Sequence, residues 1–252
     1  MIHSRNAVDA MSKLYVLPIP EFNKERWATE FFGPRVSRSH APGPQAVMSD
    51  MAPNEIIKPH FHGTAQFQLF PAGSGTLGRN EKPIQSLMVQ FKDHHTAYGP
   101  IVAGANGLTF MSLRVFTGNS APVYLHQPDF KEHLRPSKRR NLLSPQLQLS
   151  TPSVMRFRKE ASWESIFDPA SINDEMNAQL LRLGAGQTSA GPDPKRAGGY
   201  YVFVANGSMN KDSEELPLWS MTVVEPNEEE FEIKAGDKGL EALVLEFPLD
   251  FE

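Results

Sequence analysis

The chain has 252 residues, of which 40% are hydrophobic and 21% charged, enough apolar content to bury a core of its own. It contains no cysteine, which excludes disulfides, thiolate nucleophiles, zinc-cysteine clusters and iron-sulfur ligation together. With 25 basic residues against 29 acidic ones and a net charge of −4, no general positive field exists to hold a nucleic acid.

Residues 1–45 read as an N-terminal lead-in. Its apolar run is interrupted by Pro18 and Pro20, too short for a secretory or membrane-spanning segment, so no membrane partner is expected and the cytoplasm is the default location. Phe22, Trp27 and Phe31 are spaced as on a short amphipathic helix. From Ala46 the texture changes to short apolar or alternating runs, AVMSDMA, EIIKPHFH, AQFQLFP, SLMVQF and LTFMSLRVF, separated by turn residues. Runs of this length predict strands, and no helical stretch long enough for a parallel crossover lies between them. A first barrel is therefore expected over 46–119.

Residues 120–175 are charged and punctuated by proline, and predict a connector packed across the sheets, with a short helix at SWESIF. The basic cluster Lys131, Arg135, Lys138, Arg139 and Arg140 within it has no aromatic interleaving and reads as a solvated surface. Strand texture returns with AQLLRL, GYYVFVANG, LPLWSMTVVEP, EFEIKAG and LEALVLEF, giving a second barrel over 176–252. Charge is uneven along the chain, since residues 203–252 carry thirteen Asp or Glu against three Lys.

Two internal echoes link the halves. IVAGANGLTFMSLRV (101–115) and IKAGDKGLEALVLEF (233–247) align at an offset of 132, and Phe70 to Ser74 align with Val204 to Ser208 at 134. The common order and nearly common offset predict two copies of one β unit, with glycines supplying positive φ at the turns.

The sharpest chemical signal is Pro59-His60-Phe61-His62 followed by Gln66. On a strand His60 and His62 share one face while Phe61 takes the other, so two imidazoles at this spacing can grip one divalent metal. Gln66 offers a carbonyl oxygen from the next strand, and imidazole with amide suits Fe, Mn, Ni, Cu or Zn without choosing among them. No G-x-S-x-G elbow, H-E-x-x-H helix, Walker motif or dinucleotide-binding fingerprint is present.

On these residues the segment from His60 to Arg114 resembles a cupin domain, and the duplicated layout resembles a two-domain cupin (bicupin) of the RmlC-like jelly-roll class. The resemblance implies an all-β fold of duplicated jelly-roll barrels with short peripheral helices. His60, His62, Gln66 and Gly73 match the first cupin motif, with Gln66 in place of a glutamate. The third metal histidine of the second motif falls on Tyr98, just before Gly99-Pro100, and His95 is the nearer substitute beside His94. The resemblance thus implies a metal set of His60, His62, Gln66 and His95, with Tyr98 and His95 as catalytic groups, the phenol acting as hydrogen-bond donor or weak acid.

In the second copy the counterparts of His60, His62 and Gln66 are Pro194, Arg196 and Tyr200, and no histidine follows His133, so that barrel is expected to be structural, burying Tyr201, Phe203 and Trp219. Two functions follow. One is a metal-dependent enzyme acting on a small organic molecule, an oxidoreductase such as a dioxygenase, or an isomerase or lyase. The other is a non-catalytic cupin that binds a small ligand or serves in assembly. Either is compatible with a homodimer.

Overall fold

The structure, a computed structural model, describes residues 2–19, 24–33, 43–115 and 121–250. The chain forms two compact units, Lys13–Leu147 and, together, the residues up to Ser12 with Gln148–Asp250. Residues 2–12 of the expected lead-in therefore lie in the second unit. The expected connector is divided, 120–147 with the first unit and 148–175 with the second.

The chain opens with strand β1 (Ile2–Arg5) and helix α1 (Ala7–Met11), which bury Ala7 and Ala10 in the second unit. The first unit then runs β2 (Tyr15–Ile19), β3 (Lys24–Phe32), β4 (Gln45–Met51), β5 (Ile56–Ile57) and β6 (His60–Phe61). It continues with β7 (Gln66–Leu77), β8 (Lys82–Gln85), β9 (Met88–Lys92), β10 (Ile101–Arg114), β11 (Val123–Tyr124) and β12 (Asn141–Leu143). The sheet order is β12-β9-β7-β10-β4-β3-β2, with β5 on β10, β8 on β7 and a small separate β6-β11 pair. The second unit resumes at α2 (Pro152–Arg156), β13 (Ser162–Ser165), β14 (Asn177–Leu183) and β15 (Thr188–Ala190). It ends with β16 (Tyr200–Lys211), β17 (Glu214–Leu216), β18 (Met221–Val224) and β19 (Glu232–Glu246), in the order β1-β18-β16-β19-β14-β13. Every pairing among the described residues is antiparallel, as the absence of crossover helices predicts.

The echoes of the sequence fall on equivalent strands. In the first unit Leu113 pairs with Phe67 and Leu108 with Gly73; in the second Leu245 pairs with Tyr201 and Leu240 with Gly207. Gly73 and Gly207 do have positive φ, 81° and 73°, but they sit inside long strands at register shifts rather than in turns. A β-bulge of this kind bends the strand so that one sheet can curl around its own core. The turn itself lies beyond, where Glu81 N–H donates to the Gly78 carbonyl.

Two predicted helices are strands. The EFNKERWATEFF segment forms β3 from Lys24 onward, and Phe22 lies outside the described residues. A spacing of four is common to one helix face and one strand face, and β-formers pairing with β4 decide the matter. The register shift between Glu30 and Phe32 then buries Phe31 while Trp27 stays 53% exposed. SWESIF begins as β13, paired along β14 from Ser162 to Ser165.

Each unit has its own core. The first packs Phe70, Met88, Ile101 and Phe110 around Tyr98, and the second packs Tyr200, Val202, Ile233 and Val244. Tyr201 and Phe203 are fully buried as expected. No helix among the described residues is long and apolar enough to cross a membrane.

Candidate functional site

The first unit holds a partly open cavity of about 80 Å³ whose walls bring together His60, His62, Tyr98 and Arg114, with Arg26 and Gln68. Backbone pairing sets this geometry. His60 and Tyr98 exchange both backbone hydrogen bonds, at 3.1 and 3.0 Å, while β11 lies along the other side of β6 and pairs Tyr124 with His60. The imidazole of His60 is thereby flanked by Tyr98 and Tyr124, with ring centroids 4.4 and 5.4 Å away.

His60 Nδ1 lies 2.8 Å from the Lys58 carbonyl oxygen. A carbonyl only accepts, so Nδ1 carries the hydrogen and Nε2 is left as an acceptor. Burial pushes the His60 pKa down to about 3, assisted by the positive charges of Lys92, Arg114 and Arg26.

Arg114, at the end of β10, reaches across the start of two neighbouring strands. One terminal nitrogen donates to Gln45 Oε1 and the other to Gln66 Oε1. That second nitrogen also lies 3.4 and 3.5 Å from the two ring nitrogens of His62, so it rests against the imidazole instead of along one lone pair. Gln66 Nε2 donates to the Tyr98 hydroxyl at 2.9 Å, which commits both ends of this amide. The Tyr98 phenol is pushed well above its ordinary pKa, chiefly by burial, and stays protonated at neutral pH.

Two further cations border this space. Arg26 projects from β3, pairs with Glu55 and lies 5.9 Å from the Phe110 ring centroid; its Nε has no hydrogen-bond partner although the residue is 5% exposed. Lys92 Nζ donates to Gln68 Oε1 at 2.7 Å and lies 3.3 Å from the Tyr98 ring centroid. Burial first, then the charge of Arg114, drives its pKa well below the ordinary lysine value. No carboxylate is among the described residues that line the cavity.

The structure thus unites His60, His62, Gln66 and Tyr98, and leaves His95 apart. His95 has a φ of 52°, and its ring packs at 5.9 Å from Phe61, the residue whose side chain points away from the His60/His62 face. It lines a separate open pocket with Asp129 and His133. Sequence pattern marks neither Arg26 nor Lys92: Arg26 lies in the segment whose spacing suggests a helix, and in MVQFK Gln90 and Lys92 alternate with Val89 and Phe91 without saying which phase faces the barrel interior.

A divalent metal does not fit this donor set. His95 is on the wrong face, the Gln66 oxygen already accepts from a guanidinium, and that guanidinium stands beside His62, where a second positive charge would be repelled. Among the described residues no three His, Cys, Asp or Glu side chains gather as a metal would require.

Neither protein-family models nor curated proteins return a match to the chain. Solved structures do, and their cupin jelly roll is the fold of this chain. YhhW from Escherichia coli is 10% identical, with 98% of each chain covered and a TM-score of 0.58. A candidate dioxygenase from Nostoc punctiforme is 12% identical over 100% of this chain and 85% of its own, at a TM-score of 0.61. Oxalate decarboxylase from Bacillus subtilis, which carries Mn(II) centres, is 11% identical over 100% and 77%, at 0.56. At such identities the likeness is one of fold.

Proposed function

We propose that the first unit is a bicupin barrel whose cavity binds a small organic carboxylate without a metal. The supporting observation is the Arg114 guanidinium, set between His62 and Gln66 on a cavity wall that holds a second guanidinium and no carboxylate. A guanidinium matches a carboxylate with two parallel N–H donors, and burial strengthens such a pair. Neutral His60 Nε2 and the protonated Tyr98 hydroxyl supply an acceptor and a donor for the rest of the ligand. The cavity has room for about three water molecules, so the ligand has few non-hydrogen atoms.

The test is calorimetric titration with propionate in wild type and Arg114→Gln, with folding checked in both. The expected result is saturable binding that weakens about tenfold to hundredfold in the variant, the value of one charge-assisted hydrogen-bonded pair. Equal binding by both proteins, or none, overturns the reading.

A second reading, a metal-dependent enzyme acting on a small organic molecule, rests on one observation: His60 and His62 share a face, and His60 is held in the tautomer that leaves Nε2 available. It requires Arg114 to withdraw. One equivalent of metal in the purified protein, lost in His60→Ala/His62→Ala, would favour it.

A further inference from the structure

We propose that the ligand of the first-unit cavity is a short 2-hydroxy acid whose hydroxyl is held between the Tyr98 phenol and Nε2 of His60, with Gln66 setting the direction of the hydrogen bonds. This rests on the carboxylate-pocket reading and names the second group that the ligand carries.

The direction is fixed at both ends by groups that act in one sense only. A guanidinium only donates, so the Gln66 atom facing Arg114 is the oxygen, and the amide nitrogen faces the Tyr98 hydroxyl at 2.9 Å. The phenol oxygen therefore accepts from Gln66, and its own hydrogen points elsewhere. No described residue takes that hydrogen. On the other side the Lys58 carbonyl only accepts, which puts the His60 hydrogen on Nδ1 and leaves the Nε2 lone pair without a partner among the described residues. At pH 8 an ordinary phenol is protonated and an ordinary imidazole neutral, so both groups are in these states without any special environment.

Tyr98 and His60 both line the cavity, with ring centroids 4.4 Å apart and their backbones joined by two hydrogen bonds. A donor and an acceptor thus face one small space without bonding to each other. A hydroxyl satisfies both at once, accepting from Tyr98 through its oxygen and giving its hydrogen to His60. A carbonyl or an ether serves only Tyr98. An ammonium serves only His60, and Arg114 repels it.

Spacing places the hydroxyl relative to the carboxylate. The single amide of Gln66 bridges Arg114 and Tyr98, so the two donors stand as far apart as the oxygen and nitrogen of one amide with a hydrogen bond at each end. A carboxylate and a hydroxyl on neighbouring carbons offer two oxygens at a similar separation, one for each donor. Space for about three waters admits an acid of about two or three carbons. A glutamate at position 66 would accept from both neighbours and turn the Tyr98 hydrogen away from the cavity.

The experiment is calorimetric titration of the chelator-treated full chain at pH 8 with glycolate and with propionate, which has a methyl group where glycolate has its hydroxyl. Glycolate is expected to bind at least about tenfold more tightly, because propionate leaves the Tyr98 donor and the His60 acceptor unpaired. Fluoroacetate, of similar size but unable to donate, is expected to bind no better than propionate. In Tyr98→Phe the advantage of glycolate falls below about threefold, whereas Arg114→Gln weakens both acids by a similar factor. The wild-type comparison decides the matter even where a variant fails to fold. Equal affinity for glycolate and propionate, fluoroacetate binding as tightly as glycolate, or an advantage that folded Tyr98→Phe retains overturns the hydroxyl assignment and leaves the carboxylate pocket standing. Binding of neither glycolate nor propionate removes both.

Discussion

The guanidinium of Arg114 lies against the imidazole of His62, with one terminal nitrogen 3.4 Å from Nε2 and 3.5 Å from Nδ1. A protein-borne cation thus occupies the neighbourhood that an external cation would need. Removing it and restoring a negative ligand should reverse the preference. Arg114→Ala combined with Gln66→Glu is expected to bind Mn(II) or Zn(II) at least about tenfold more tightly than wild type, measured by competition with a chromophoric chelator. Unchanged affinity would show that Arg114 is not what keeps metal out.

The buried histidine gives the first unit an acid sensitivity of known sign. His60 has a pKa of about 3 when folded against 6.5 for the free side chain, so the unfolded chain binds the proton more readily between these values. Its contribution to stability is complete above pH 6.5 and is lost progressively as the pH falls toward 3. From pH 7 to pH 5 the loss is about 2 kcal/mol. Urea unfolding of His60→Asn, which retains a donor for the Lys58 carbonyl, should show a pH dependence flatter by about this amount. An identical slope in both proteins would assign the sensitivity elsewhere.

The in-strand glycines are sites where backbone meets backbone. A methyl group added at Gly207 would lie 2.1 Å from the Gly239 carbonyl oxygen, and one at Gly73 would lie 2.5 Å from that of Gly107. Positive φ adds a further cost of about 1–2 kcal/mol for any L side chain. Gly207→Ala and Gly73→Ala are each expected to lose more than about 2 kcal/mol in chemical denaturation, the former in the second unit and the latter in the first.

Glu241 organises the second unit around a buried carboxylate. It is fully buried and accepts from Ser150 N at 2.8 Å, Ser150 Oγ at 2.7 Å and Asn206 Nδ2 at 3.0 Å, with Arg182 paired to it. Burial alone would raise its pKa, and these hydrogen bonds outweigh it, leaving the carboxyl below its ordinary value. Glu241→Leu leaves Arg182 with Glu164 as its carboxylate partner but strands the Ser150 N–H and the Asn206 amide, and is expected to cost more than about 2 kcal/mol, read as a lower midpoint of the second unit's unfolding.

The sequence disclosed the strand framework because short alternating runs and a repeated Gly-Leu pattern are local signals. Phe70 to Ser74 and Val204 to Ser208 occupy matched positions of β7 and β16. It disclosed one wall of the cavity for the same reason, since the period-two rule alone puts His60 and His62 on one face. The opposite wall was hidden, because a polar residue inside a barrel alternates just as one facing water does. Gln68, Gln90 and Lys92 read as surface until the barrel closes around them. His95 was misplaced by its positive φ, a loop feature that no residue pattern announces.

Strand β1 pairs with β18 through four successive residues, from Ile2 opposite Val224 to Arg5 opposite Met221. On the ribosome β1 emerges before the whole of the first unit, and β18 only after it. Strand β1 must therefore wait for its partner until the first unit and most of the second have followed it, and the second unit closes this edge only at that late moment. An extension fused ahead of Ile2 would hang from a sheet edge and not from a free tail.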